Sequence, residues 1–173
     1  IVPLLYFILR LTFLIEFLGA LLLAPSFCQK VGLLRGIYFA VFHSISSFCN
    51  AGFDLFGNSL MDFAGDPIVN ITVMLLIIAG GLGFTTWADI RLNRGNFHAY
   101  TLQSKIALTM TAALILIPGL FFFFFELDPS TSLSEHFLIS FFQSVTTRTA
   151  GYNTIDIKDF SETGRAALIA LML

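Results

Sequence analysis

The chain has 173 residues and a net charge of −2; 57% of it is hydrophobic and only 12% is charged, against roughly 25% in an ordinary soluble domain. A mean hydropathy of +0.87 and 21 phenylalanines exceed what one soluble core of this size can hide, so the composition reads as membrane protein. The near-neutral balance argues against a nucleic-acid partner, the two cysteines, Cys28 and Cys49, fit neither a disulfide framework nor a zinc site, and the Ile-Val-Pro start shows no signal-peptide n-region.

A helix needs about 20 apolar residues to cross about 30 Å of hydrocarbon. Residues 2–24 form a first such span, interrupted by Arg10 and Glu16. Residues 36–48 are apolar but give only about 20 Å of helix. They run straight into Cys49-Asn50-Ala51-Gly52-Phe53-Asp54. Residues 67–88 form the second span, opening on Pro67 at a first-turn position that tolerates a missing N–H. Residues 106–125 form the third and end in five consecutive phenylalanines. Residues 134–147 are again too short to cross and lead into Arg148-Thr149-Ala150-Gly151-Tyr152-Asn153. A fourth span starts near Thr163 and stops in an apolar run at Leu173, so both chain ends read as cuts through a longer protein.

Short apolar helices that end in polar glycine loops read as re-entrant segments. Non-helical backbone at membrane depth persists only where it is buried in protein or lines a wet cavity. Charge sets the orientation. Arg91, Arg94 and Lys105 face a single acid in the stretch from Asp89 to Lys105, whereas residues 126–135 carry three acids and no base. By the positive-inside rule the connector is cytoplasmic and the loops open outward, with Lys30 and Arg35 against the trend.

The order span, short helix, loop, span occurs twice. With Gly52 placed over Gly151, an offset of 99 residues, Phe42 meets Phe141, Ser47 meets Thr146, Ala51 meets Ala150, Phe53 meets Tyr152 and Asp54 meets Asn153. Internal repeats are common in transport proteins. The loop chemistry suits a monovalent cation, which sheds its water only where rings of backbone carbonyls replace it. Gly52 and Gly151 can take the φ > 0 that such a loop requires, and the C-terminal carbonyls of each short helix face the site with partial negative charge. Asn-Ala-Gly and Thr-Ala-Gly also suit plain helix C-caps. Two of them, each between full spans, favour the cation reading.

The run from Phe42 to Phe56 and the run from Gln143 to Thr154 resemble the second and third pore loops of the Ktr/Trk/HKT potassium transporters, and the Ktr-type membrane subunit of bacteria is the most similar in wording. The resemblance implies an all-α integral membrane fold of helix–re-entrant loop–helix repeats, potassium-channel-like, of which this chain holds about one and a half of four. Residues 1–90 would be the second repeat, 91–105 a cytoplasmic connector and 106–173 a truncated third repeat. Asn50, Ala51 and Gly52, with Thr149, Ala150 and Gly151, would present carbonyls to potassium, and Phe53 and Tyr152 would support them as outward-packed cuffs. The resemblance also implies uptake into the cell across the plasma membrane by a multi-pass protein. Sodium is a candidate activating ion, the assembly a homodimer, and the regulator a cytosolic nucleotide-binding KtrA-like ring.

Arg148 is expected to brace its loop through a carboxylate on another repeat, or to snorkel to water. Asp54 either concentrates cations at the mouth or caps the next turn. His43 reads as a core hydrogen-bonder, and His98 and His136 as lone and peripheral. Gly80-Gly81-Leu82-Gly83 lacks the Lys-Ser/Thr of a phosphate loop and reads as close helix packing. No Ser/His/Asp set, His-Glu metal motif or Walker loop points to an enzyme. Two alternatives stay open: a sodium-preferring transporter of the same fold, and a non-transporting membrane subunit of an energy-coupling complex.

Overall fold

The structure is a computed structural model that describes residues 2–126 and 132–172. Part of the acidic segment 126–135 therefore lies outside the described residues. Seven α-helices follow in order: α1 Val2–Val31, α2 Leu33–Phe48, α3 Pro67–Gly81, α4 Phe84–Asn93, α5 Leu102–Phe125, α6 Leu133–Thr149 and α7 Glu162–Met172. Single 3-10 turns lie at Met61–Phe63, Phe97–Ala99 and Ile157–Asp159.

The first span is longer than its apolar run suggests. α1 continues through Pro25 to Val31, past the expected end at residue 24. An apolar environment offers a freed carbonyl no water, and a helix there tolerates an internal proline more readily than it tolerates unravelling. Gly32 alone, at φ 86°, reverses the chain into α2. At 16 residues, α2 is about 24 Å long and still too short to cross. Its buried stripe, Gly36, Ala40, His43, Ser44 and Ser47, has helical spacing but is small and polar rather than greasy.

α3 opens as expected on Pro67, behind an Asp66 side chain that accepts from the N–H groups of Ile68 at 2.9 Å and Val69 at 3.2 Å. The expected span 67–88 does not hold as one rod. α3 ends at Gly81 and α4 leaves at 91° to it. Gly83, at φ 78°, takes a conformation that costs any other residue strain. The Trp87 indole secures the corner by donating to the Ala79 carbonyl at 2.9 Å.

The connector 91–105 is likewise more ordered than expected. It holds the end of α4, a 3-10 turn and the start of α5. Asp89 of α4 accepts from Thr101 N at 3.1 Å, Thr101 Oγ1 at 2.6 Å and Ser104 Oγ at 2.6 Å. It thereby satisfies donors at the first turn of α5.

α1 packs along α2, α5 along α6, and α3 sits between, touching α1, α2 and α6. One core joins both halves: Leu23 and Phe27 of α1, Val73 and Ile77 of α3, Phe142 and Val145 of α6, and Tyr152 beyond it. The halves also echo in detail. Ser44 Oγ donates to the Glu16 carbonyl at 2.6 Å and Ser144 Oγ to the Ile115 carbonyl at 2.7 Å, and carbonyls 16 and 115 match in the offset-99 register. Ser144 also reaches the Leu114 carbonyl at 3.2 Å, which Pro118 leaves without its helical donor.

Among the described residues, two helices, Leu4–Val31 and Leu102–Phe125, are long and apolar enough to cross a membrane, and the bent pair α3–α4 is a third only if counted as one span. Phe13, Phe17 and Leu21 stand exposed along α1. The chain is an all-helical membrane protein.

Candidate functional site

The site is built where α2 and α6 stop. At the end of α2, Cys49 stays helical and Asn50 turns into the left-handed region at φ 53°, which Asn tolerates better than most residues. Ala51 N donates back to Ser46 O at 2.8 Å, and Gly52 follows at φ 69°. α6 runs two residues further than expected, so that Arg148 and Thr149 are helical and the loop starts at Ala150 rather than Arg148. Gly151 N closes onto Thr146 O at 3.0 Å, with φ 86° at Gly151. The expectation that glycine supplies each positive φ therefore holds for Gly52 and Gly151 and omits Asn50.

The two loops touch. A Cβ built on Gly52 would stand 1.9 Å from the Ala150 carbonyl oxygen, while one on Gly151 would meet nothing within 4 Å. Gly52 thus lets the loops approach, and Gly151 borders open space. Among the described residues, no protein donor is bonded to the carbonyl oxygens of Asn50, Ala51, Gly52, Thr149, Ala150 or Gly151. Unpaired backbone carbonyls are strong acceptors that demand a partner when water is scarce.

Support comes from Tyr152, which is fully buried. Its hydroxyl donates to Ser46 Oγ at 2.7 Å and lies 3.0 Å from the Phe53 carbonyl, to which Ser46 Oγ itself donates at 2.9 Å. This triangle draws the Phe53 carbonyl away from the open side and locks one loop to the other. The Phe53 ring is 69% exposed, so of the two expected cuffs only Tyr152 packs behind the loops within this chain. Beyond them, Asn153 N donates to Ser59 Oγ at 2.9 Å and Asn153 O accepts from Leu60 N at 3.0 Å.

Asp54 caps the next turn. Its carboxylate accepts from Gly57 N at 2.7 Å and Ser59 N at 3.1 Å, closing the turn that presents Ser59 to Asn153. Arg148 finds no carboxylate among the described residues. Its guanidinium instead lies against Gly81 at the end of α3, with Nη2 2.7 Å from where a Cβ would stand. Nη1 is buried without a partner among the described residues. The Asn50 amide works at the same place: oriented so that its nitrogen faces an acceptor and its oxygen a donor, it donates to Ile77 O at 3.1 Å and accepts from Gly81 N at 3.2 Å. Gly80 is packed as tightly, since a Cβ there would stand 1.8 Å from the Phe48 carbonyl oxygen. The close-packing reading of Gly80 and Gly81 is thereby sharpened: they seat the end of α2 and the guanidinium of α6.

His43 is a core hydrogen-bonder as expected. Nδ1 donates to the Phe39 carbonyl at 2.8 Å, and the ring packs on Phe27 and Phe56. His136 is not peripheral, because it is buried and bonds the Phe123 carbonyl at 3.0 Å. Lys30 pairs with Asp62 and lies 4.8 Å over the Phe63 ring. Hydrogen bonds from Lys30 and Asn58 hold the Asp62 carboxyl below the usual carboxylate range. Ser46 and Ser59 went unsingled in the sequence. The polar run Ser44, Ser46 and Ser47 in an otherwise apolar helix is the signal that marks Ser46.

Long apolar helices, two short helices that stop together, and a set of unpaired carbonyls where they meet define a membrane protein with paired re-entrant loops. The whole chain, residues 1–173, matches the TrkH cation transport protein family, and it belongs to that family. It is 40% identical, over 99% of its length, to the potassium/sodium uptake protein NtpJ of Enterococcus hirae, of which it covers 39%. It is 39% identical, over 91% of its length, to the Ktr system potassium uptake protein B of Vibrio alginolyticus, covering 36% of it. The protein of the same name from Bacillus subtilis is 38% identical over 86% of the chain, 34% of that relative being covered. The chain thus spans well under half the length of these curated relatives. Membership places it in a family of cation transport proteins.

Proposed function

We propose that the chain is the second and most of the third of four repeats in a transporter that takes potassium into the cell, and that its two loops form half of a carbonyl-lined selectivity filter. The observation that carries this reading is the set of six unpaired carbonyl oxygens on two glycine loops in direct contact. Backbone carbonyls at close quarters replace the hydration shell of a potassium ion, and the C-terminal ends of α2 and α6 add partial negative charge. No covalent chemistry is involved; the electrochemical gradient drives passage. The exposed Phe53 ring and the open space at Gly151 suit the two repeats outside this chain, which would complete the ring.

By charge, the loops face outward and the connector 91–105 faces the cytosol. A multi-pass protein of the plasma membrane, assembling as a homodimer, fits this arrangement. The connector is then the candidate contact for a cytosolic nucleotide-binding, KtrA-like regulatory subunit. Sodium has a place as an activating ion. A sodium-preferring transport path is the second reading, favoured by the name of the Enterococcus hirae relative, which includes both ions.

Uptake by the full-length protein in cells lacking their own potassium systems tests the reading. Wild type should restore growth at low potassium, and Gly52→Ser and Gly151→Ser should each weaken discrimination against sodium. Unchanged selectivity in both variants would remove the loops from the ion path.

A further inference from the structure

The broken end of α3 touches both loops at once. With its amide turned so that nitrogen faces an acceptor and oxygen a donor, Asn50 reaches Ile77 O at 3.1 Å and Gly81 N at 3.2 Å in the last turn of α3. From the other side the Arg148 guanidinium, one residue before Thr149, rests on the Gly81 backbone. A cation at a helix C-terminus is favoured by the partial charge of the final carbonyls, which gives Arg148 a counter-charge without a carboxylate. Gly80 receives the Phe48 carbonyl, the last of α2. Within two residues the chain bends by 91° into α4, and Trp87 of α4 fixes the corner through Ala79 O. α4 continues into the connector, where Asp89 ties it to α5.

We propose that Arg148 and Asn50 are positioning residues that seat both filter loops on the end of α3, so that the α3–α4 corner sets how closely the loops approach and hence how well they discriminate potassium from sodium. The inference rests on the filter reading above and adds a lever to it. A displacement of α4 reaches the carbonyls of Asn50 through its own side chain and those of Thr149 through its neighbour. The lever is stiff because small residues at 80 and 81 leave no slack, and packed elements pass shifts on rather than absorbing them. It ends in the segment where a cytosolic partner would dock.

The test uses the full-length transporter in uptake-deficient cells, with potassium KM, maximal rate and the potassium-to-sodium uptake ratio measured for each variant. Trp87→Phe keeps an aromatic ring but removes the N–H that secures the corner, with the smaller half of the indole, at a distance from both loops. Arg148→Gln removes the charge and Arg148→Lys restores a charge without the planar fork. Trp87→Phe and Arg148→Gln should each lower the uptake ratio by about fivefold or more, the lower end of ordinary site-to-site coupling, with Arg148→Lys partly restored. Gly52→Ser serves as the control that acts in the loop itself. If Gly52→Ser shifts the ratio while Trp87→Phe and Arg148→Gln leave it within about twofold and change only the maximal rate, the coupling is wrong and the filter stands. If no variant shifts it, Gly52→Ser included, the filter reading falls and takes this inference with it.

Discussion

Replacing Gly52 and Gly151 by alanine separates two costs that a filter glycine can carry. Both residues have positive φ, 69° and 86°, and an L-residue in that region costs roughly 1–2 kcal/mol. Only Gly52 carries the second cost, because its new methyl would stand 1.9 Å from the Ala150 carbonyl oxygen. Contacts under 3.0 Å are essentially never seen for a real Cβ, so one loop must retreat by more than about 1 Å, and overpacking of that kind adds about 1–3 kcal/mol. Gly52→Ala should therefore cost about 2–5 kcal/mol in all, against about 1–2 for Gly151→Ala. Thermal unfolding of the purified full-length protein, paired with uptake selectivity in cells, reads both effects. Gly52→Ala should melt lower than Gly151→Ala and lose more potassium preference. Equal damage in the two variants, or greater damage at Gly151, would refute the contact between the loops.

Tyr152→Phe removes a buried hydroxyl that bonds Ser46 and should cost about 1 kcal/mol, near the mean for a hydrogen bond, with selectivity falling while surface expression persists. Asp54→Asn retains an acceptor for Gly57 and Ser59 and should leave potassium KM unchanged, whereas Asp54→Ala should lower stability by about 1 kcal/mol; a raised KM in Asp54→Asn would revive a role as a mouth charge. The Asp62 carboxyl is held below its usual range by Lys30. Its contribution is present above the unfolded carboxylate pKa of about 3.9 and fades as pH falls through the lower folded value. Asp62→Asn should accordingly flatten the acid limb of melting temperature against pH below about 4 by lowering the melting temperature at neutral pH toward its acid value.

Much of the site can be read from residue order because short-range chemistry decides it. Pro67 behind Asp66 starts α3 in the sequence and in the fold. Gly52 and Gly151 take the backbone geometry that their residue type predicts. Asp54 stood between two roles, and only the positions of Gly57 and Ser59 reveal its capping bonds. Where the reading missed, the deciding contact lies far along the chain. The apolar run 67–88 cannot show its corner, which sits where Asn50 and Arg148 arrive from other helices. Arg148 has no acid nearby in sequence, and its resting place on Gly81 emerges only when α6 packs on α3. Pro25 looks like a stop in a table of propensities and is overridden by surroundings that leave loose carbonyls nowhere to go. The two extra residues of α6 follow instead a local bond, Thr147 Oγ1 back to Gln143 O at 2.8 Å, and a packed face that runs to Thr147.

The ties between Asn153 and the Ser59–Leu60 corner, with Tyr152 reaching to Ser46, have a consequence for chain continuity. The two halves clasp each other through their loops, while the covalent link between them runs through Arg94 and Gly95, both exposed and at positive φ. A backbone cut at that link would sever the peptide without parting the halves, so separately expressed segments of the full protein divided there should find each other and restore transport.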